Sequence, residues 1–228
     1  MNKLFKLSWK LLGRSPIKLS QNSIESLNLV NNITGWNFKE NERFNQSEVK
    51  LEDENFTQSL REMTEMHPSP LGVNSSKEHA IEVFTALVDN AQHELKIYDR
   101  DISGDLLNEE HVNNLKSKFQ NFVKSGNNKR IVILAPVAGK NDQLINDLEN
   151  IAPGKISVVL IPDQLENQLS SVIPFYFAVN DCNSFRIEKR RDTNDPSREA
   201  RFAFNDENVG RYLNETFDDI KEKLSHSV

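Results

Sequence analysis

Residues 130–135 read RIVILA, a nearly continuous apolar run of the kind that forms a strand buried on both faces of a sheet. Residues 156–161 have the same character, and residues 94–99 read as a short strand in which Leu95 and Ile97 alternate with Lys96 and Tyr98. A helical spacing of apolar residues begins at Glu109, and a further helix is predicted over 141–151. Parallel neighbours need long crossover connections, so strands that alternate with helices in this order predict a parallel sheet with helices packed on it.

The segments on either side of this core add further elements. Before it, Ser75-Ser-Lys-Glu78 has the form of a helix capping box followed by a helical apolar stripe. After it, residues 174–180 and 184–188 alternate apolar and polar residues around a turn, which predicts a β-hairpin. A short strand at 201–204 and a closing helix over 207–224 complete the domain. The predicted fold is α/β over residues 75–226, with a mixed, mainly parallel sheet flanked by helices.

The first 74 residues form an irregular extension in this prediction. Residues 1–20 hold five basic and no acidic residues, with leucines at helical spacing, which predicts a basic amphipathic segment. Such a segment can contact an anionic membrane surface, dock on the protein's own core or remain a frayed tail. Residues 21–74 are polar and acidic and end in a proline-containing linker, so we expect an extended or partly disordered arm.

Composition excludes several classes of protein. The 228 residues carry a net charge of -6, which argues against broad nucleic-acid binding. A single cysteine excludes a disulfide framework or a cysteine-based zinc cage within one subunit, and scattered histidines predict no metal or cofactor site. No apolar run approaches the roughly 20 residues that cross a bilayer. We expect a cytoplasmic protein, with weak contact of the inner membrane face through residues 1–20 left open.

The best candidate for a functional site is Asp99-Arg100-Asp101. It follows the first parallel strand, and ligands of open α/β sheets bind at the carboxyl ends of strands. A carboxylate pair there could bind a divalent cation or act as acid and base, or the two aspartates could cap a turn. Asp181, in the predicted hairpin turn, has the same two interpretations.

Two arginines of the last third are further candidates for binding. Arg186 and Arg201 belong to its densest basic region and could hold phosphate or carboxylate groups. Acidic residues are interleaved with this region, so a solvated surface with transient ion pairs is the alternative.

Several strings together resemble half of the phospholipase D-like fold, in particular a bacterial subgroup of single-module proteins. They are HAIEVFTALVDNAQHELKIYDRDIS, RIVILAP, FYFAVNDCNSFRIE and NVGRYLNETFDDI, and the resemblance covers about two-thirds of the chain. Active members carry a motif of His, one residue, Lys, four residues and Asp, in which the histidine attacks phosphorus and the lysine neutralises phosphate oxygens.

This motif is degenerate here. Its histidine falls on Pro174, its lysine on Tyr176 and its aspartate on Asp181, so that only the aspartate is kept. None of the five histidines is followed by a lysine two residues later. The resemblance therefore implies a non-catalytic binding or scaffolding module. Because single-motif members pair two modules around a shared cleft, it also implies a homodimer, with an unknown protein partner as the alternative. A phosphodiesterase or hydrolase with a rebuilt acidic site, and a peripheral membrane-associated adaptor, are the competing hypotheses.

Overall fold

The computed structural model describes residues 49–50, 55–74, 76–100, 109–137, 147–148, 150–190 and 200–225. The strands are β1 Val49–Lys50, β2 Gly72–Asn74, β3 Glu94–Tyr98, β4 Arg130–Pro136, β5 Ile156–Ile161, β6 Phe175–Asn180, β7 Phe185–Lys189 and β8 Ala200–Ala203. The helices of eight or more residues are α1 Phe56–Glu65, α2 Lys77–Asn90, α3 Glu109–Lys124, α4 Asp163–Ser170 and α5 Glu207–Ser225. Of the helix predicted over 141–151, the structure describes residues 147–148, 150 and 151, which are helical.

The described strands form one sheet in the order β1-β2-β8-β7-β6-β3-β4-β5. Strands β3, β4 and β5 are parallel, as the alternation of strands and helices predicts. The hairpin β6–β7 and strand β8 join this part through antiparallel pairing of β6 with β3. The mixed α/β fold is therefore confirmed. Parallel pairing, however, is limited to β3–β4–β5 and the short β1–β2 pair, so the parallel share is smaller than predicted.

Each face of the sheet carries its own hydrophobic core. Helices α1, α2 and α3 cover the first face, where Leu87 and Phe119 pack against strand residues such as Ile97. Helices α4 and α5 cover the second face, where Phe217 packs against residues such as Phe177. These side chains are at most 3% exposed, and burying each one contributes roughly 1.5–3 kcal/mol.

The ordered domain begins before residue 75, which corrects the prediction of an arm over residues 21–74. Helix α1 buries Phe56, Leu60 and Met63, whose i, i+4, i+7 spacing places them on one face against the first core. Strand β2 then pairs with β8 inside the sheet. Residues 1–48, including the predicted basic segment 1–20, lie outside the described residues.

Candidate functional site

Several polar side chains meet where β3 and β7 end and β6 begins, an edge of the sheet that we call the carboxyl edge. Tyr98 is the last residue of β3 and lies opposite Phe177 of β6. Phe175, the first residue of β6, lies opposite Lys189 at the end of β7. This antiparallel register brings Tyr176 and Arg190 to the carboxyl edge beside Tyr98.

Arg190 is the centre of a hydrogen-bonded group that we call the Arg190 cluster, formed by Arg190, Glu166, Tyr98 and Tyr176. The guanidinium forms an ion pair with Glu166 and donates hydrogen bonds to the hydroxyl of Tyr98 and, at 3.3 Å, to that of Tyr176. Its Nε donates to the backbone carbonyl of Ile173 at 2.7 Å. The Tyr98 and Tyr176 hydroxyls donate to the two carboxylate oxygens of Glu166 at 2.9 Å and 3.4 Å.

The Arg190 cluster is also packed and largely withdrawn from water. The guanidinium carbon lies 4.5 Å from the ring centroid of Tyr176 and 5.2 Å from that of Tyr98. The side chains of Arg190 and Glu166 are each only 14% exposed. A cation between two aromatic rings, with its carboxylate partner in contact, gains both cation–π and charge-assisted hydrogen-bond stabilisation. The main donors and acceptors of this group are thus engaged with each other.

Burial keeps the two tyrosine hydroxyls neutral. It raises the pKa of Tyr98 well above the ordinary tyrosine value and raises the pKa of Tyr176 to about 12. The positive charge of Arg190 opposes this shift, whereas the negative charge of Glu166 reinforces it. Both hydroxyls therefore act as hydrogen-bond donors near neutral pH, and neither is ionised to a nucleophilic phenolate.

Two of the predicted site residues lie beside the Arg190 cluster. Asp99 follows Tyr98, and its N–H donates to the Leu134 carbonyl of β4 at 3.2 Å. The charges of Asp99 and Arg100 both act on Tyr176, the first raising and the second lowering its pKa. Arg100 is exposed. Asp101, the third member of the predicted group, lies outside the described residues.

Asp181 lies at the opposite end of β3. Its carboxylate accepts hydrogen bonds from the backbone N–H groups of Gln92 at 3.0 Å and His93 at 2.8 Å, just before β3 begins. The five residues of β3 separate this position from Asp99, which at about 3.3 Å per residue amounts to roughly 16 Å. The structure therefore does not bring Asp99 and Asp181 into one site, and Asp181 caps a chain reversal.

Arg186 and Arg201 lie on different faces of the sheet. Arg186 shares the first face with Phe202, its partner in the register, whereas Arg201 alternates with Phe202 along β8 and points to the second face. The two arginines are only 4% and 8% exposed, so they are buried members of strands instead of parts of a solvated basic surface. Arg186 pairs with Glu188 at 2.8 Å and lies 5.2 Å from the ring centroid of Phe84.

One row of paired strand residues near the carboxyl edge contains three polar residues and Ala200. Asn74 lies opposite Ala200, which lies opposite Glu188, which lies opposite Tyr176. Asn74 is 1% exposed, and neither polar atom of its side chain has a hydrogen-bond partner among the residues that the structure describes. An unsatisfied buried amide of this kind costs about 1–3 kcal/mol.

Sequence reasoning missed three of the four members of the Arg190 cluster. Glu166 lies on α4, a helix that the sequence did not predict, and Arg190 belongs to the basic region for which both anion binding and a solvated surface were left open. Tyr98 was assigned only to the alternating pattern of a strand. No local spacing links the three residues, because their contacts join positions 24 to 92 residues apart along the chain.

The described part of the chain contains no group of three or more His, Cys, Asp or Glu residues placed to hold a metal ion. In the same part, no helix is both long enough and apolar enough to cross a membrane.

Comparisons with known proteins give distant structural likenesses only. No protein-family model matches the chain, and no curated protein matches it. Similar solved structures include TrmBL2, an archaeal chromatin protein described as showing a novel mode of DNA binding, with 14% identity, a TM-score of 0.47 and 75% of this chain covered. They also include phosphatidylserine synthase from Haemophilus influenzae Rd KW20, with 9% identity, a TM-score of 0.38 and 67% covered. The chain spans 59% and 38% of the lengths of these two proteins.

Proposed function

We propose that this protein is a non-catalytic, phospholipase D-like binding or scaffolding module. The observation that carries the proposal is the Arg190 cluster, which occupies the place where the resemblance puts the catalytic lysine. Tyr176 stands at that position, and its hydroxyl is a neutral donor to Glu166. Pro174, at the position of the nucleophilic histidine, has no side chain able to attack phosphorus.

The contacts of the Arg190 guanidinium at the carboxyl edge also support a structural role for this side chain. A catalytic cation must be available to neutralise oxygens of a bound substrate. Arg190 instead faces an internal carboxylate, Glu166, and a backbone carbonyl, so a substrate would have to displace both. The aspartate kept from the motif, Asp181, is engaged in capping backbone N–H groups.

The exposed part of the carboxyl edge remains as a contact surface. Arg100 is exposed, Asp99 is half-buried, and both lie next to the Arg190 cluster. We assign partner contact to these two residues, and the partner that the resemblance favours is a second copy of the chain. The buried positions of Arg186 and Arg201 exclude them from such a contact in this conformation.

A hydrolysis assay tests the absence of catalysis. Purified full-length protein is incubated with bis(4-nitrophenyl) phosphate, with and without Mg²⁺, Mn²⁺ or Zn²⁺, and release of nitrophenol is measured. The proposal predicts rates equal to buffer with the same metal. Activity that disappears in Asp99→Asn but persists in the matched surface variant Asp163→Asn would instead establish a rebuilt acidic site.

Sedimentation equilibrium tests the contact surface. We expect the full-length chain to self-associate and Arg100→Glu to weaken this association at least tenfold. Arg211→Glu, an equally exposed charge reversal on α5, should leave it unchanged. Equal association of both variants would show that the carboxyl edge is not the interface.

A further inference from the structure

We propose that the basic N-terminal segment, residues 1–20, docks into a groove between α1 and α2 of its own chain. This inference is independent of whether the module is catalytic, because the groove lies on the first face of the sheet among helices, away from the Arg190 cluster on α4 and the strand ends.

The groove is a concavity between two of the described helices. It has a volume of about 450 Å³ between Thr57, Leu60 and Arg61 of α1 and Glu82, Ala86 and Asp89 of α2. A second depression of about 460 Å³ continues it along the outer side of α1, where Glu62 and Glu65 join the lining. Together the two concavities follow α1 along its length, which is the shape that an elongated segment of chain needs.

The walls of the groove are acidic. Four carboxylates, of Glu62, Glu65, Glu82 and Asp89, face one guanidinium, of Arg61, which leaves a net charge of about -3 on the lining. Lys118 neutralises Asp89 at 2.7 Å. Among the described residues, two of the other carboxylates accept hydrogen bonds from neutral donors: Thr57 donates to Glu82 at 2.7 Å, and Gln58 donates to Glu62 at 3.0 Å. These hydrogen bonds orient the carboxylates and leave their charge uncompensated.

Residues 1–20 have the complementary chemistry. They hold Lys3, Lys6, Lys10, Arg14 and Lys18 with no acidic residue, and leucines recur between the bases. The lining of the groove includes carboxylates together with Ala86, which is half-buried, and Leu60, which is only 4% exposed. A segment with alternating basic and apolar positions can therefore pair its charges with the carboxylates while a leucine contacts Ala86.

The chain is long enough to bring the two together. The described domain begins at Val49 in β1, which pairs with β2 and lies close in sequence to the start of α1. Residues 21–48 comprise 28 residues, which can span up to roughly 90 Å when extended, more than the width of a domain of this size. Tethering also makes the contact intramolecular, so a weak interaction is enough to populate it.

Limited proteolysis of the full-length chain tests the docking. Trypsin cleaves after the five bases of residues 1–20, and intact-mass spectrometry follows the loss of this segment with time in 20 mM salt. The test variant is Glu62→Gln/Glu65→Gln/Glu82→Gln, which removes the uncompensated charge of the groove. The matched control is Glu110→Gln/Asp163→Asn/Glu215→Gln, three exposed carboxylates on α3, α4 and α5.

Docking predicts that the groove variant loses the segment about five- to tenfold faster than wild type, the effect expected of three exposed ion pairs. The control variant should match wild type, and 0.5 M NaCl should largely remove the difference, because salt screens exposed charges. Equal cleavage rates of all three proteins at low salt would overturn the proposal.

Vesicle binding distinguishes the groove from a membrane as the partner of this segment. Vesicles of phosphatidylcholine and phosphatidylserine are sedimented with wild type and with the groove variant. Docking predicts that the groove variant binds at least threefold more, because its basic segment is released. If wild type already binds through residues 1–20 and the variant binds equally, the segment is free of the groove and the proposal fails.

Discussion

Replacing Arg190 by methionine tests whether the Arg190 cluster stabilises the fold or is kept to bind a ligand. The substitution removes an ion pair to Glu166 and hydrogen bonds to the Ile173 carbonyl and to two tyrosine hydroxyls. It leaves Glu166 charged and only 14% exposed. Breaking a buried pair by removing one partner costs about 3–5 kcal/mol. Tyr98 and Tyr176 still donate to Glu166, so we expect a loss of about 3 kcal/mol, at the lower end of that range.

The companion variants test the cause of this loss. Arg190→Met/Glu166→Leu removes both charges and should cost at least 1 kcal/mol less than Arg190→Met alone, because no carboxylate is left unpaired. The free energy of unfolding is measured by urea denaturation followed by circular dichroism, and an unchanged m-value shows that the extent of unfolding is the same. A loss below about 1 kcal/mol for Arg190→Met would refute the reasoning, since it would mean that the cluster does not stabilise the fold.

Three further predictions concern single positions. Folding raises the pKa of Tyr176 from 10.0 to about 12, so the stability that comes from its neutral hydroxyl is present below pH 10 and is lost as the pH rises through 12. In a titration followed by absorbance at 295 nm, Tyr176→Phe should show one fewer tyrosine that ionises above pH 10. Asn74→Leu should raise the free energy of unfolding by about 1–3 kcal/mol by removing an unsatisfied buried amide, whereas a lowered melting temperature would indicate a hidden partner. Asp181→Ala should cost about 0.5–1.5 kcal/mol in urea unfolding because it removes two exposed hydrogen bonds from backbone N–H groups, and Asp181→Asn, which keeps one acceptor, should cost less.

Strand β4 could be predicted from the sequence because burial leaves a continuous apolar pattern, and the edge strand β5, although only partly buried, carries a similar apolar run. The predicted strand at 156–161 has the observed bounds, and the strands at 94–99 and 130–135 differ from those observed by one residue. The hairpin was predicted from alternation around a polar turn, and three of its four strand ends differ from the observed ones by one residue. These patterns lie within short segments, so they can be recognised without knowledge of the tertiary structure.

Elements with weak local signals were missed. Helix α1 lies in an acidic region, and three buried residues, Phe56, Leu60 and Met63, supply its only helical pattern. That i, i+4, i+7 spacing could have identified it. Helix α4 has eight residues and buries Leu169 alone, which is too little for a periodic pattern. Strand β1 has two residues and forms through pairing with β2.

The candidate site was predictable in position but not in composition. Placing it at the end of β3 required only the order of strands and helices, and Asp99 and Arg100 do lie there. The pairing of Arg190 with Glu166 depends on how α4 and β7 approach each other in space, which no sequence spacing encodes. Asp181, the aspartate kept from the motif, lies at the other end of the sheet because β6 runs antiparallel to β3.

The central claim is that this protein has no catalytic histidine and lysine where the phospholipase D motif would place them, and that the Arg190 cluster stabilises the fold at that position. The most direct measurement is single-turnover incubation of excess full-length protein with bis(4-nitrophenyl) phosphate, followed by intact-mass spectrometry of the protein and quantification of nitrophenol. The account predicts an unmodified protein mass and no nitrophenol above buffer. A phosphoryl adduct on any histidine, or nitrophenol formed in proportion to protein, would contradict it.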